Sequence, residues 1–281
     1  MLREIRFDEI VDCVARLCIR ANTVLPEDVA RLLNAARERE PYAPARESLG
    51  LICQNAQIAC ERPAPICQDT GMAVVYAELG QDAHIIGGLL TDAVREGVAR
   101  GYTQGYLRKS VVADPLRRGN TGDNTPAVLH LRLAAGDRLR LTVAPKGFGS
   151  ENMSRLAMLT PAQGVEGVKD FVVETARLAG ANPCPPMVLG VGVGGTFEQV
   201  AALAKEALLD PREGPHPDPF YASLESELLE RVNALGIGRQ GYGGLTTALS
   251  VHILAATTHI AGLPVAVNIG CHVTRHASEI L

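Results

Sequence analysis

Five consecutive residues, Cys67 to Gly71, carry a thiol, an amide, a carboxylate and a hydroxyl and end on a glycine. These groups can ligate a metal, orient a substrate and move a proton, which are the tasks of a catalytic site. Pro63 and Pro65 precede them and disfavour a helix, so Cys67 is expected on a loop. The mostly apolar run Met72–Leu79 that follows predicts a short buried strand. The sequence therefore places reactive groups at the mouth of a strand.

Three of the seven cysteines stand apart, because Cys67, Cys184 and Cys271 each lie among Pro and Gly residues at predicted loops. The other four fall on helical patterns, where cysteine usually acts as a small buried hydrophobic residue; they are Cys13, Cys18, Cys53 and Cys60. The chain has no Cys-x-x-Cys pair, which argues against a zinc ribbon or a thioredoxin-type site. The odd cysteine count also disfavours a disulfide framework.

Three thiolates from distant loops form a metal centre only if the fold brings them together. Three soft ligands suit either zinc with an open position or a cubane iron–sulfur cluster in which one iron has no protein ligand. Such an iron is a Lewis acid that can take the hydroxyl and carboxylate of a substrate while a base removes the neighbouring proton. The cluster interpretation predicts dehydration of a hydroxy acid or the reverse hydration, and the zinc interpretation stays open.

The composition excludes several other classes of function. The chain has 281 residues, a formal charge of −4, 4% aromatic residues and no Trp, which gives no reason to expect a nucleic acid or an anionic membrane as partner. The N-terminal stretch Met1–Phe7 lacks the apolar region of a signal peptide, and no run of 18 apolar residues could span a bilayer. We therefore expect a cytoplasmic globular protein.

The pattern of apolar residues predicts an α/β fold of mixed sheets flanked by helices. We expect one catalytic domain over residues 1–281, with an N-terminal segment of three helices packed outside over residues 1–62 and an α/β core over residues 63–281. The core is expected to bring the candidate ligand loops to one site. The predicted helices are 7–21, 27–40, 43–61, 94–100, 164–178, 197–209 and 222–235, and the predicted strands are 72–79, 128–133, 137–144, 187–193, 246–257 and 263–269.

Two features of the core need a choice between interpretations. Strands 128–133 and 137–144 are close in sequence and alternate apolar with polar residues, so they are predicted to pair as a hairpin. The polar run Asn120–Pro126 is either an exposed turn or a loop that supplies hydrogen bonds to a site. Gly194-Gly195 between a strand and a helix is weak evidence for a nucleotide site, because no acidic partner for a ribose follows.

Seven motifs, in order over almost the entire chain, resemble the iron–sulfur class I fumarases and L-tartrate dehydratases; they are Ile66–Gly71, Leu107–Pro115, Asn120–Pro126, Lys146–Asn152, Gly190–Thr196, Gly244–Thr247 and Cys271–Ala277. The chain looks like the alpha subunit of a two-subunit member, since it ends soon after Cys271. The resemblance implies a separate beta subunit whose basic residues clamp the substrate carboxylates, and a dimer or an assembly of two alpha and two beta chains.

By matching position, the resemblance implies that Cys67, Cys184 and Cys271 ligate a [4Fe–4S] cluster. It implies that Gln68 and Asp69 reach the substrate, with Asp69 taking part in proton transfer. The implied substrate is a four-carbon dicarboxylate, with fumarate and L-malate as the first choice and L-tartrate as the alternative. A sensor or assembly module with a structural cluster is an alternative of another class, and polar residues beside the ligands argue against it.

The resemblance also implies roles for residues outside the first motif. Arg108 would bind a substrate carboxylate, Lys146, Gly147 and Gly149 would line the substrate pocket, and His259 would face the site.

Several of these residues have simpler alternative roles, and one residue departs from the family. Asp69 could instead cap a turn, Arg108 could form a structural ion pair, and His259 could be a core histidine. Phe148 stands where the family usually has glycine, which changes the width of the expected pocket. Arg275 is expected to brace the cluster loop or the subunit interface.

Overall fold

A computed structural model describes residues 3–62, 64–210 and 214–281 of the chain. Pro63, which the sequence suggests as the breaker of the third helix, lies outside the described residues. The described part is a mixture of helices and mixed sheets, which confirms the predicted α/β class. Within those ranges no helix has the length and apolar character needed to cross a membrane.

Strands and helices are interspersed along the chain. The strands are β1 (Arg3–Arg6), β2 (Met72–Gly80), β3 (Ala83–Ile86), β4 (Val128–Ala134), β5 (Leu139–Lys146), β6 (Arg155–Leu159), β7 (Met187–Gly194), β8 (Ala248–Ala256), β9 (Leu263–Gly270) and β10 (Ala277–Ile280). The helices are α1 (Phe7–Thr23), α2 (Glu27–Arg39), α3 (Ala43–Glu61), α4 (Leu90–Gln104), α5 (Phe148–Glu151), α6 (Gly164–Ala179), α7 (Phe197–Ala207) and α8 (Pro219–Asn233). Short 3₁₀ turns cover Pro161–Gln163 and Arg239–Gly241.

The three N-terminal helices begin where the sequence predicted. The second helix starts at Glu27, directly after Pro26, and Glu27 and Asp28 lie in its first turn, where acidic side chains are stabilised by the helix dipole. The first helix buries a complete apolar face, which includes Val14 and Leu17. Local signals were sufficient here because both helices have strong periodicity and clear start residues.

The chain divides into two compact units. The first unit contains residues 1–26, 55–148 and 275–281, and the second contains residues 27–54 and 149–274. Helix α1 therefore belongs to the first unit and α2 to the second, while the boundary falls inside α3.

The first unit contains a four-stranded sheet in the order β10-β5-β2-β4 and a small parallel pair, β1 with β3. Helices α1 and α4 pack on each other, and α1 also packs on β5. The side chains of this core are apolar and fully buried; among them are Ile10, Leu17, Val98, Leu139 and Leu141.

The predicted hairpin is wrong in its pairing, although both of its strands exist. Strand β2 lies between β4 and β5, parallel to β4 and antiparallel to β5. The alternation of β5 is genuine, but a period of two tells which face of a strand is buried and not which strand is its neighbour. The more continuously buried β2 takes the centre, and β4, with Leu131 and Leu133 exposed, lies at the edge.

The second unit contains a sheet in the order β6-β9-β7-β8, in which β7 runs parallel to β8 and antiparallel to β9. Helix α7 packs very closely on β7: a Cβ atom on Gly190 would lie 2.1 Å from Ala204 O, and one on Gly192 would lie 2.3 Å from Val200 O. The alternating glycines of β7 therefore serve helix packing.

Candidate functional site

Hydrogen bonds from distant side chains to its backbone hold the Cys67–Gly71 loop in place. The buried Tyr102 hydroxyl contacts two carbonyl oxygens of the loop, at 2.8 Å from Thr70 O and 3.0 Å from Gly71 O. The Asn124 side-chain amide donates a further hydrogen bond to Gly71 O at 3.2 Å. Two segments distant in sequence thus fix the loop, which is what precise catalytic geometry requires.

Asn124 lies in the polar run Asn120–Pro126 and is fully buried. Its Oδ1 accepts hydrogen bonds from the backbone N–H groups of Ser110, at 2.7 Å, and Val111, at 3.2 Å. The run therefore is not a free exposed turn. It joins the segment after Arg108 to the Cys67–Gly71 loop, as the second interpretation of the sequence predicted.

The Asp69 carboxylate is held from both sides. Its Oδ1 accepts from the Gly71 backbone N–H at 3.0 Å, and its Oδ2 accepts from the Phe148 backbone N–H at 3.0 Å. Arg275 donates to the Asp69 carbonyl oxygen at 2.5 Å and so contacts this loop, while its role at a cluster or a subunit interface stays a prediction. A Cβ atom on Gly147 would lie 3.1 Å from Asp69 Oδ2, which shows how closely the backbone approaches the carboxylate.

The turn-capping alternative for Asp69 is therefore correct as far as Gly71 is concerned, but it is incomplete. A carboxylate has about four lone-pair positions, and two hydrogen bonds leave others able to accept a proton. The bond to Phe148 also ties the loop to the segment after β5, 79 residues away in sequence. Asp69 thus combines a fixed orientation with a half-buried side chain.

Arg108 is exposed, and its backbone is joined to the same loop. The Thr70 hydroxyl donates to Arg108 O at 3.1 Å. Within residues 3–62, 64–210 and 214–281 no carboxylate pairs with the Arg108 guanidinium, so the structural ion-pair alternative is not observed. A guanidinium presented in this way can take a carboxylate in a two-point interaction.

The other site residues predicted in the first unit lie in the Cys67–Gly71 loop or at the end of β5, which pairs with the start of β2. The Cys67 thiol donates to Gln68 Oε1 at 3.4 Å, and Gln68 is exposed while Cys67 is half-buried. Asn55 fixes the entrance of the loop by donating to Ile66 O at 2.8 Å. Lys146, which is 8% exposed, is the last residue of β5 and pairs in register with the first residue of β2.

In the second unit the structure brings the loops of Cys184 and Cys271 together. Cys184 precedes β7 and is exposed, with its backbone in the left-handed region at φ +53°. Cys271 directly follows β9, and the next residue, His272, donates to Cys184 O from its backbone N–H at 3.4 Å and from Nδ1 at 2.8 Å. Gly149 also lies beside this region, since its Cβ would be 3.5 Å from Asn182 O.

His272 is a residue whose importance the sequence does not reveal. The sequence predicts only a structural role for it. The only sequence signal is its position directly after a candidate ligand. The antiparallel pairing of β7 with β9 places the start of β7 beside the end of β9, and this register creates the contact.

The other cysteines are poor candidates for ligands. Burial raises the pKa of Cys13 to about 12, with a smaller contribution from the Glu279 charge, and burial raises the pKa of Cys18 to about 12. Burial also raises the pKa of Cys53. A metal ligand must be a thiolate, so these environments work against ligation. Cys60 is exposed on α3.

The chemistry of the three predicted cysteine ligands fits a soft metal centre. All three predicted ligands are cysteines in the thiol form on loops, and none is among the buried cysteines. In the part of the chain that the structure describes, no group of three His, Cys, Asp or Glu side chains is placed so that it could hold a metal ion. The convergence of all three loops therefore stays a prediction, while the contact of two of them is observed.

In the second unit, His259 lies at the end of the strands opposite to the end that carries Cys184 and Cys271. It occupies the connection from β8 to β9, where its neighbour Thr258 donates to Gly195 O at 2.9 Å, and its Nδ1 accepts from Ala261 N–H at 3.2 Å. Because a strand rises about 3.3 Å per residue, the end of β7 lies about 20 Å or more from its start, which follows Cys184.

The structure therefore does not bring His259 together with Cys184 and Cys271 within one chain. Its side chain is exposed, which also disagrees with a core histidine. It borders a mostly apolar cavity of about 370 Å³, lined among others by Val165, Phe220 and Ile260. Its predicted role stays a prediction.

The Tyr102→Phe variant is expected to lose about 1–3 kcal/mol of the free energy of unfolding, because the Thr70 carbonyl oxygen loses its 2.8 Å partner inside the protein. Urea unfolding measures the change. The matched control is Tyr42→Phe, since the Tyr42 side chain is 52% exposed, and it should stay within about 0.5 kcal/mol. Equal stabilities for the two variants would show that the Tyr102 hydroxyl does not hold the loop.

Comparison with known proteins gives a consistent set of similarities. A family model described as fumarate hydratase (Fumerase) matches residues 11–279. A protein of Methanocaldococcus jannaschii named putative L(+)-tartrate dehydratase subunit alpha is 41% identical over 275 residues, covering 96% of this chain and 96% of that protein. The L(+)-tartrate dehydratase subunit alpha of Escherichia coli K12 is 31% identical over 277 residues, covering 98% of this chain and 91% of that protein.

Proposed function

Because this chain belongs to the fumarate hydratase family of hydro-lyases, and to its class I fumarase and tartrate dehydratase alpha subunits, we propose that it adds water to, or removes water from, a four-carbon dicarboxylate. The observation that carries the proposal is the Asp69 carboxylate, fixed between two backbone N–H groups on a loop that also anchors Arg108. The loop thus offers an oriented base, and Arg108, which is joined to the loop through its backbone, offers an exposed guanidinium that can bind an anion.

In the dehydration direction the substrate loses a hydroxyl from one carbon and a proton from the next. Asp69 accepts that proton, Arg108 holds a substrate carboxylate, and the exposed Gln68 amide orients the substrate's polar groups. In the hydration direction the same Asp69 returns the proton to carbon. A base that is held in one orientation removes part of the entropic cost of alignment.

Cys67, Cys184 and Cys271 would hold a [4Fe–4S] cluster, which when bound supplies a Lewis acid that polarises the C–OH bond. Lys146, Gly147 and Gly149 would line the substrate pocket. These assignments rest on the donor chemistry and on the observed contact between two of the cysteine loops.

The relatives named as alpha subunits support a beta-type partner for this chain. We propose that the partner completes the active site with basic groups for the second substrate carboxylate. An assembly of two alpha and two beta chains would satisfy this requirement. The cytoplasm, with its reducing conditions, is the compartment that suits cysteines in the thiol form.

Within this class of substrates, the two kinds of comparison favour different compounds. The family model's description favours fumarate and L-malate, whereas the names of the relatives favour L(+)-tartrate. Loss of water from tartrate gives an enol that becomes oxaloacetate, whereas loss of water from malate gives fumarate.

The test is to co-express the chain with a beta-type partner, reconstitute it without oxygen and compare kcat/KM for L-malate and L(+)-tartrate. Iron and sulfide counts, visible absorption and EPR accompany the assay, with about four irons per chain expected. Failure of the loaded pair to turn over either substrate would remove the proposed function. A colourless protein with bound zinc would favour the zinc alternative, and a brown but inactive pair would favour a sensor or assembly module.

The Arg108→Lys variant is expected to raise KM for the dicarboxylate by about 10- to 100-fold, because a lysine cannot make the two-point contact of a guanidinium. Initial rates over a range of substrate concentrations measure the effect. The control is Arg117→Lys, because Arg117 is exposed and pairs with Asp114 on the surface, and its KM should be unchanged. An unchanged KM in Arg108→Lys would remove Arg108 from the substrate site.

A further inference from the structure

Glu40 is a buried carboxylate that the proposed reaction does not use. It lies between α2 and α3 in the second unit and is 2% exposed. Its Oε1 accepts from Tyr42 N–H at 3.1 Å, and its Oε2 accepts from Leu245 N–H at 2.8 Å. Burial of a carboxylate is costly, and hydrogen bonds from two N–H groups offset part of that cost.

The Glu40 carboxylate lies at the end of the glycine-rich loop Gly236–Gly244, because Leu245 directly follows that loop. Gly244 has φ +116°, and a Cβ atom there would lie 2.8 Å from Glu40 Oε2, so this position accepts only glycine without displacement. The same segment holds the loop at a second point, because Arg239 Nη2 donates to Pro44 O at 2.8 Å. The segment from Glu40 to Pro44 thus contacts the loop at two points, at Arg239 and at its end beside Leu245.

Between these two anchor points lies Gln240, which contacts both cysteine loops. Its backbone N–H donates to Pro185 O at 2.8 Å, and Pro185 follows Cys184. Its side-chain amide nitrogen lies 3.3 Å from Nδ1 of His272, which follows Cys271; because that Nδ1 donates to Cys184 O, this is a packing contact and not a second hydrogen bond. Gln240 itself has φ +50°, a conformation that the anchors on either side must maintain.

We propose that Glu40 is a positioning residue that sets the relative placement of Cys184 and Cys271 through the glycine-rich loop and Gln240. Every residue in this chain of contacts belongs to the second unit. The inference deepens the proposed function, and it rests on that function only for the role of the two cysteines as ligands. The chain of contacts itself is observed independently.

The first test compares the full-length Glu40→Gln protein with wild type, both without cluster. A glutamine keeps the size and one acceptor oxygen, but its NH₂ group faces one of the two N–H groups. We expect the backbone amides of Leu245, Gln240 and His272 to exchange with deuterium about tenfold faster. We also expect the Cys184 thiol to be alkylated several-fold faster relative to the exposed Cys60, as measured by mass spectrometry.

The matched control is Glu38→Gln, because Glu38 is an exposed residue two positions earlier in α2, and its exchange and alkylation should match wild type. A purely structural role for Glu40 would lower the melting temperature and accelerate exchange only at Tyr42 and Leu245. If Gln240, His272 and Cys184 behaved as in wild type under those conditions, the proposal would be overturned.

A second variant tests the connection from Gln240 to His272 while Glu40 stays intact. It also provides a test if Glu40→Gln does not fold. Gln240→Asn keeps a residue type that tolerates positive φ, but the shorter side chain cannot reach His272. It should reproduce the faster alkylation of Cys184, and unchanged alkylation would overturn the proposal. After cluster loading, either variant should lose iron several-fold faster during gel filtration and show an altered EPR signal.

The two hypotheses fail in different ways. Deuterium exchange and alkylation are measured on the protein without cluster, so they do not depend on activity. If wild type proves inactive but Glu40→Gln alters Cys184, the positioning role stands and the proposed function falls. If wild type is active and Glu40→Gln leaves Cys184 and iron retention unchanged, the positioning role falls alone.

Discussion

The Asp69→Asn variant is expected to lose about 100- to 10,000-fold in kcat while keeping its fold, because an amide cannot accept the proton that the reaction removes from carbon. The substituted asparagine would keep the shape of the side chain and one acceptor for Gly71 N–H, but its NH₂ group would face Phe148 N–H. The measurement is kcat of the loaded pair, together with the free energy of unfolding of the chain.

The control for the lost hydrogen bond is Asp123→Asn. Asp123 Oδ1 accepts from Thr125 N–H at 3.0 Å and from the Thr125 hydroxyl at 2.8 Å, which is the same kind of turn to a residue two positions later. This variant should lose similar stability, about 1–3 kcal/mol, with kcat within about threefold of wild type. If Asp69→Asn kept more than about a tenth of the wild-type kcat, Asp69 would be a turn residue and not the base.

The Cys184→Ser variant is expected to hold fewer than about one iron per chain instead of about four, and to have no measurable hydro-lyase activity. A serine hydroxyl is a hard and weakly acidic donor, which cannot replace a thiolate at a soft metal centre. Serine keeps the size of the side chain and has the same backbone strain at φ +53°, so the stability of the cluster-free chain should change little. Iron analysis and visible absorption after reconstitution measure the effect.

Cys60→Ser is the matched control, since Cys60 is an exposed thiol on α3 and is not among the predicted ligands. It should keep its iron, its colour and its activity. The cluster assignment would be untenable if Cys184→Ser remained brown with about four irons and full turnover. The same comparison with Cys271→Ser tests the second loop that His272 joins to Cys184.

Most helices and strands were predictable because their signals are local. The apolar period of α1, Pro26 before α2 and the apolar run of β2 each act within one or two turns of chain. The short strands β1, β3, β6 and β10 were missed because four or five residues carry too little pattern, and each exists only through its pairing partner. The prediction that β4 pairs with β5 was wrong because the alternation of apolar and polar residues does not specify which strand is the neighbour.

The site shows the same division between local and distant information. The residue types of the Cys67–Gly71 loop indicated reactive chemistry, but its bonds to Tyr102 and Asn124 cross 30 to 60 residues of sequence. The family resemblance implied a role for His259, whereas its position at the opposite end of strands β7 and β9 follows from strand direction.

The sequence by itself determined the α/β class, the family, and the identity of the groups that could do chemistry, because these depend on residue type, order and local periodicity. Only the tertiary structure decided that Asp69 is held between Gly71 and Phe148, that His272 joins the two cysteine loops, and that Glu40 anchors the loop of Gln240. Such contacts depend on strand order and register, and those are set by the burial of whole faces against one another.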